Sequence, residues 1–239
     1  MRAGIIAEWR GDLAVLRNVL EGWLGFARDE VRFLVPAYDL DNTDRHTMEE
    51  AQRSNWLRVR DECQAAERIR EFLALHADDD PLVVVHLDTA EASEVGFDVE
   101  RPDRAAPDFA ACLRDRVGAR LDAWLPEDVV PRVRRAIAVE ETDAWVLALF
   151  LDKETTALPR PKETLDRTLN GPGSPIERER RRFFQLDVFA RYDRLTRDLR
   201  KRKTLAVCAA RNVSLRAFLD ELCPPADDGQ TPAVPRWKR

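Results

Sequence analysis

Three short apolar runs, each ending in an acidic residue, most strongly constrain the fold of this chain. Residues 4–7 lead into Glu8, residues 82–87 lead into Asp88, and residues 136–139 lead into Glu140 and Glu141. Short apolar runs are typical of buried parallel strands. Because ligands bind at the carboxyl ends of the strands in open α/β sheets, we expect these acids to share one site.

Strand and helix patterns alternate along the first 150 residues. The predicted strands are residues 4–7, 31–35, 82–87 and 136–140, and the predicted helices are residues 12–26, 47–76, 109–125 and 143–151. Residues 90–107 have no period and indicate a loop. Alternation of this length predicts an α/β fold with a mostly parallel sheet flanked by helices on both faces.

The composition changes after about residue 155. Proline and glycine clusters interrupt a largely helical remainder, in which residues 176–203 repeat apolar positions every three or four residues and predict a helix. Ser214 resembles the N-cap of a further short helix. We therefore predict an α/β domain at residues 1–155, a helical C-terminal extension packed on it at residues 156–223, and a disordered tail at residues 224–239.

Composition excludes several classes of protein. The chain has 239 residues and a net charge of −5, and no apolar run approaches the roughly 20 residues that span a bilayer. Four scattered cysteines and three histidines do not form a zinc or redox motif. The first residues lead directly into a strand and not into a signal-peptide core. We expect a cytoplasmic protein with no membrane partner.

The acids at the strand ends suit a hard divalent cation. Carboxylate oxygens are the ligands that magnesium prefers, and crowded carboxylates resist ionisation unless a cation neutralises them. The predicted catalytic residues are Glu8, Asp88 and Glu141. The predicted metal ligands are these three acids together with Asp143 and Glu91.

Residues beside these acids have simpler explanations. Asp12 and Thr142 each precede or begin a helix and are expected to cap it. His86 lies two residues before Asp88, so it faces the same side of the strand and is expected to be hydrogen-bonded there. Glu140 is expected to face elsewhere, and Trp145 is expected in the core.

A basic segment at residues 177–203 carries a net charge of +6 within a chain of net charge −5. This asymmetry is expected of a nucleic-acid footprint. The candidate contacts are Arg180, Arg181, Arg182, Arg191, Arg194, Arg197, Arg200, Lys201, Arg202 and Lys203. A solvated helix face, with aspartates paired one turn away, is the alternative. The nearby acids favour nucleic acid because phosphodiester chemistry needs both charges.

Together these motifs resemble the Toprim-type metal-dependent domain of topoisomerases, primases and nucleases of the overcoming-lysogenization-defect type. In that family a first strand ends in Glu-Gly-x-x-Asp and a later strand ends in Asp-x-Asp, which correspond here to residues 8–12 and 88–90. The chain is more similar to an uncharacterised bacterial Toprim-like family, through residues 141–145 and 192–203. Trp9 and Ala90 depart from the pattern, where a glycine and a second aspartate would stand.

The resemblance implies that the strand-end acids bind Mg²⁺ or Mn²⁺ and that the protein hydrolyses nucleic acid phosphodiesters, in DNA more than RNA. It also implies a setting in phage defence or DNA repair, with an ATPase as partner protein. The alternative is a non-catalytic Toprim-like interaction subunit of an ATPase-containing defence complex, which Trp9 and Ala90 favour. A nucleotide-binding enzyme ranks last, because the chain lacks both glycine-rich phosphate-binding motifs.

Overall fold

A four-stranded parallel sheet lies at the centre of the computed structural model, which describes residues 1–36 and 55–223. Its strands are β1 (Ala3–Ile6), β2 (Val31–Val35), β3 (Leu82–Asp88) and β4 (Val133–Ala138), in the spatial order β2-β1-β3-β4. All three neighbouring pairs are parallel. The predicted α/β fold with a parallel sheet is confirmed.

Helices cover both faces of the sheet. They are α1 (Arg10–Leu24), α2 (Asn55–Ala65), α3 (Glu67–Leu75), α4 (Phe109–Trp124), α5 (Asp143–Leu147), α6 (Pro161–Asn170), α7 (Arg180–Phe184), α8 (Val188–Leu195), α9 (Arg202–Arg211) and α10 (Val213–Leu222). One core joins the sheet to α1 and to α5 through α10, and the other joins it to α2, α3 and α4. No helix within the described ranges is long and apolar enough to cross a membrane.

The sheet divides the two cores because successive side chains of a strand point to opposite faces. In β1, Ile5 belongs to the first core and Ile6 to the second. The helices that follow residue 155 share the first core with α1 and β1. The predicted extension is therefore helical and packed against the sheet, while the boundary at residue 155 stays a prediction.

Strand β4 begins three residues earlier than the apolar pattern predicts. Its first part contains Arg134 and Arg135, which are half-buried. Arg135 is paired with Asp122 at 3.1 Å and with Glu221 at 2.7 Å. An edge strand tolerates such residues because one of its sides has no neighbouring strand, so hydrophobicity alone did not reveal its start.

The single helix predicted at residues 47–76 is wrong where the structure describes it. Ala66 has a φ of 52°, a left-handed conformation, and separates α2 from α3. Neither glycine nor proline marks this break in the sequence, although a non-glycine residue rarely adopts positive φ. Residues 47–54 of the predicted helix, and the predicted tail at residues 224–239, lie outside the described residues.

The single helix predicted over residues 176–203 is also wrong. The segment contains the short helices α7 and α8, each flanked by a 3-10 turn. Asp187 is extended, and its Oδ1 accepts a hydrogen bond from the Ala190 N–H at 3.0 Å, so a new helix starts there. Further along, Asn212 and not Ser214 caps α10, since its Oδ1 accepts from the Leu215 N–H at 2.9 Å.

Candidate active site

An acidic cleft of about 260 Å³ lies at the carboxyl ends of β1, β3 and β4. Parallel pairing sets Ile6 beside Val85 and Asp88 beside Ala138, so the chain leaves the three strands at one edge of the sheet. The residues that line this acidic cleft are Glu8, Trp9, Asp12, Asn55, Asp88, Ala90, Glu91, Glu141, Asp143, Lys162 and Tyr192. All five predicted metal ligands are among them.

Glu8 and Asp88 are joined directly. Oε1 of Glu8 accepts a hydrogen bond from the Asp88 N–H at 2.7 Å. Burial raises the pKa of Glu8 well above its ordinary value, and the charge of Asp12 adds to the effect. Burial likewise raises the pKa of Asp88, followed by the charges of Asp12 and Glu8. The two carboxyl groups therefore resist ionising together.

Asp12 is the third residue of α1 and not its N-cap, which is Trp9, so the predicted N-cap is wrong; Asp12 also lines the cleft. Its Oδ2 accepts a hydrogen bond from the Trp9 N–H at 3.0 Å. Burial, and next the charge of Asp143, raise the pKa of Asp12 to about 7, although the hydrogen bond from the Trp9 N–H opposes the rise. The sequence signal for this second role was its spacing of four residues from Glu8.

Thr142 orients Asp88 instead of capping α5. Its N–H and its hydroxyl both bond to Oδ1 of Asp88, at 2.9 and 3.1 Å, and its side chain makes no cap. The same hydroxyl lies 2.8 Å from Nε2 of His86. The Thr142 hydroxyl therefore contacts both Asp88 and His86.

His86 is a neutral, fully buried strand residue. Burial lowers the pKa of His86 to about 3, so its imidazole carries no charge near neutral pH. Its Nδ1 lacks a hydrogen-bond partner in the described part of the chain and lies 3.8 Å from Oδ2 of Asp12. The expected role of His86 as a hydrogen-bonded strand residue is confirmed.

Tyr192 brings the helical C-terminal region into the cleft. Its hydroxyl donates to Oδ1 of Asp143 at 2.6 Å. Burial raises the pKa of Asp143 to about 6, the charge of Glu141 adds to this, and the hydrogen bond from Tyr192 opposes it. Burial and then Asp143 raise the pKa of Tyr192, which keeps its donor proton. The helical pattern in the sequence assigned Tyr192 only to an apolar face.

Among the described residues, six acidic side chains line the acidic cleft, and Lys162 is the one cationic side chain that lines it. Its Nζ lies 5.2 Å from the centre of the Trp9 ring, and its backbone N–H donates to Oε2 of Glu141 at 3.2 Å. Trp9 in turn packs edge-on against Tyr192, with 5.8 Å between ring centres. No sequence pattern predicts that Lys162, at the start of α6, reaches this site.

The donors of the acidic cleft fit a hard cation in chemistry but are not assembled around one point. Carboxylate oxygens suit Mg²⁺ or Mn²⁺. Within residues 1–36 and 55–223, however, no group of three or more His, Cys, Asp or Glu side chains is arranged to hold a metal ion. Glu8 and Asp143 instead accept hydrogen bonds from Asp88 and Tyr192. Cation binding would need these side chains to turn toward a common centre.

Two residues near the cleft are positioned as the sequence predicted. Glu140 faces away from it, and its Oε1 accepts hydrogen bonds from Arg101 at 2.8 Å and Arg104 at 2.9 Å. Trp145 is fully buried in the first core, where its Nε1 donates to Oγ of Ser214 at 2.8 Å.

The predicted nucleic-acid contacts are divided between two places. Arg200 is paired with Glu21 and Asp193, and Arg202 lies 4.6 Å from the Trp23 ring centre. Because a helix rises about 1.5 Å per residue, Trp23 is about 16 Å along α1 from Asp12, which lines the cleft. The end of the basic segment, residues 200–203, therefore lies away from the acidic cleft.

The remaining basic residues divide between paired and solvent-facing side chains. Arg194 pairs with Glu179, and Arg180 donates to the carbonyl oxygen of Gly171 at 3.3 Å. In contrast, Arg181 and Arg182 on α7, and Arg197 beyond α8, are exposed and form no ion pair with the described residues.

Comparisons of the chain with family models, with curated proteins and with solved structures found no match. The functional interpretation therefore depends on the cleft itself.

Proposed function

We propose that the acidic cleft binds Mg²⁺ or Mn²⁺ and that the protein is an endonuclease that hydrolyses nucleic acid phosphodiesters, in DNA more than RNA. The observation that carries this proposal is the convergence of six acids and one lysine on a single cleft at the strand ends. Raised pKa values at four of these acids show that their charges are costly without a counterion. Such groups gathered in a cleft are typical of functional sites.

The strand-end acids would hold the cation. Glu8 and Asp88 would supply ligands from β1 and β3, and Glu141, Asp143 and Glu91 would supplement them. A bound divalent cation supplies Lewis-acid polarisation of a phosphoryl oxygen and lowers the pKa of a bound water. Thr142 donates a hydrogen bond to Oδ1 of Asp88, and Tyr192 donates one to Oδ1 of Asp143, so a neighbouring side chain or backbone group orients each carboxyl group. Lys162 would neutralise part of the substrate's phosphate charge.

The exposed arginines would guide the nucleic acid backbone. Arg181 and Arg182 belong to α7, the helix before α8, which carries Tyr192 into the cleft. Arginine binds phosphate without regard to sequence, in a salt-dependent manner. A cytoplasmic setting in phage defence or DNA repair is part of the proposal, and its support is the resemblance to Toprim-type proteins.

The test is cleavage of plasmid and linear DNA by the purified protein with Mn²⁺ or Mg²⁺. We expect Glu8→Gln and Asp88→Asn each to lower the cleavage rate by about 100-fold or more, and EDTA to abolish it. Glu71→Gln is the matched control, because this exposed glutamate on α3 lies outside the cleft. Cleavage that persists unchanged in Glu8→Gln and Asp88→Asn would show that the activity belongs elsewhere.

A second candidate is a non-catalytic interaction subunit of an ATPase-containing complex. It is favoured by the lack of an assembled group of metal ligands among the described residues, and by Ala90, which lines the cleft with a methyl group. Under this candidate the purified protein would bind neither Mn²⁺ nor Mg²⁺ and would not cleave DNA. It would instead form a stable complex with an ATPase.

A further inference from the structure

A second cleft opens beside the acidic cleft, and we call it the aromatic cleft. It has a volume of about 740 Å³ and lies between α6 and the pair α7 and α8. Its buried lining residues include Leu165, Leu169 and Phe183. It shares four lining residues with the acidic cleft: Trp9, Asp143, Lys162 and Tyr192. A ligand in the aromatic cleft would therefore lie directly beside the acids.

Two exposed aromatic rings line the aromatic cleft. Trp9 is 36% exposed and Phe184 is 38% exposed. Among the large hydrophobic side chains that are exposed in the described ranges, these two alone are aromatic. Exposed aromatic rings in a groove are the usual stacking platforms for unpaired nucleobases, because every base has a π face.

The charges of the aromatic cleft suit a neutral planar group better than a phosphate. Three basic and three acidic side chains line it: Lys162, Arg167, Arg191, Asp143, Glu163 and Asp166.

We infer that the aromatic cleft binds an unpaired nucleobase next to the phosphodiester in the acidic cleft, so that the substrate is single-stranded nucleic acid. This inference rests on the proposed function and adds the class of substrate. In a duplex the bases are paired and stacked on each other, and reaching the cleft would require a base to be extruded. A single strand offers its bases without that cost.

The test is fluorescence anisotropy with a labelled oligothymidylate and a labelled hairpin duplex of equal length, in EDTA to prevent cleavage. We expect the single strand to bind at least about tenfold more tightly than the duplex. Replacement of the stacking ring in Phe184→Ala should weaken single-strand binding by about 5- to 100-fold. Leu75→Ala, at an exposed leucine on α3, is the matched control and should bind like the wild type.

Two further variants separate stacking from simple apolar contact. Phe184→Tyr keeps an aromatic face and should bind the single strand like the wild type. Phe184→Leu keeps apolar surface without a π face and should lose binding like Phe184→Ala. The inference would be overturned if single strand and duplex bound equally or if no oligonucleotide bound. It would also be overturned if Phe184→Leu bound the single strand like the wild type, a result that would indicate a cleft for an apolar protein segment.

Failure of the inference is distinguishable from failure of the proposed function. If the protein cleaves duplex and single-stranded DNA equally in Mn²⁺, and Phe184→Ala cleaves both like the wild type, the nuclease proposal stands and the nucleobase inference falls. If single-strand binding depends on the Phe184 ring but no polymer is cleaved in Mn²⁺ or Mg²⁺, the cleft binds bases and the nuclease proposal falls.

Discussion

At the residue scale, the hydroxyl of Thr142 bridges Oδ1 of Asp88 and Nε2 of His86 at 3.1 and 2.8 Å. Thr142→Val keeps the shape of this side chain but leaves the fully buried His86 without that partner. We expect the variant to lose about 1–3 kcal/mol of unfolding free energy, measured by urea denaturation. Thr142→Ser retains the hydroxyl and should stay within about 1 kcal/mol of the wild type. Equal stability of Thr142→Val and the wild type would contradict this role.

Asp12 should make the stability of the protein depend on pH. Its pKa is raised from 3.8 to about 7 in the folded state, so the folded protein binds a proton there that the unfolded chain releases. The stabilisation from that proton is complete below pH 4 and is lost as the pH rises to about 7. Asp12→Asn cannot ionise. Its stability relative to the wild type should therefore increase from pH 4 to pH 7 in EDTA and then level off.

Urea denaturation across this pH range measures the difference between the two proteins. The lowered pKa of His86, about 3, acts in the opposite direction in both proteins. Because the charge of Asp12 also raises the pKa values of Glu8 and Asp88, Asp12→Asn removes that contribution too, and this adds to the expected increase. Parallel pH profiles for Asp12→Asn and the wild type would mean that Asp12 is not buried as described.

At the element scale, α1 lies unusually close to the turn Arg197–Arg200. A Cβ added at Gly22 would come within 2.0 Å of the Leu199 carbonyl oxygen and 2.9 Å of the Arg200 Cα. We expect Gly22→Ala to destabilise the protein by about 1–3 kcal/mol, despite the better helix propensity of alanine. Gly118→Ala in α4 is the matched control: its Cβ would have no neighbour nearer than 3.6 Å, so it should be neutral or stabilise by up to about 1 kcal/mol. Thermal or urea unfolding compares the two.

The elements themselves could be predicted where local pattern decides them. Three of the four strands and helices α1 and α4 follow directly from apolar runs and helical spacing. The helix breaks at Ala66 and Asp187 could not be predicted. The break at Ala66 depends on a left-handed alanine within a packed core, and the break at Asp187 depends on a local cap inside a continuous apolar repeat. The start of β4 was hidden by arginines whose partners, Asp122 and Glu221, are distant in sequence.

In the candidate site, too, some residues could be predicted from local pattern and others depend on packing between distant elements. Glu8 and Asp88 could be identified because each follows an apolar run on a strand, and strand ends meet at one sheet edge. Lys162 and Tyr192 reach the acidic cleft from helices α6 and α8, whose placement depends on how they pack against α5 and α1. No spacing in the sequence encodes that packing.

At the scale of the whole molecule, the positive charge of the basic segment is divided between two surfaces. Combined Arg181→Ala and Arg182→Ala should weaken binding of single-stranded DNA and reduce the slope of log affinity against log salt by about 1.4. Combined Arg202→Ala and Lys203→Ala, beside the far end of α1, should leave both the affinity for single-stranded DNA and the salt slope unchanged. Binding titrations at several salt concentrations measure the slope. Equal losses from both pairs would indicate that the whole segment contacts nucleic acid.

If the carboxyl groups of the acidic cleft share a divalent cation, calorimetric titration of Mn²⁺ into the purified protein will detect the binding. We predict saturable binding by the wild type and by the Glu71→Gln control. Binding should release protons near pH 6, since the pKa values of Asp12 and Asp143 are raised to about 7 and about 6. It should be lost in Asp88→Asn. No saturable binding by the wild type, or unchanged binding by Asp88→Asn, would contradict this prediction.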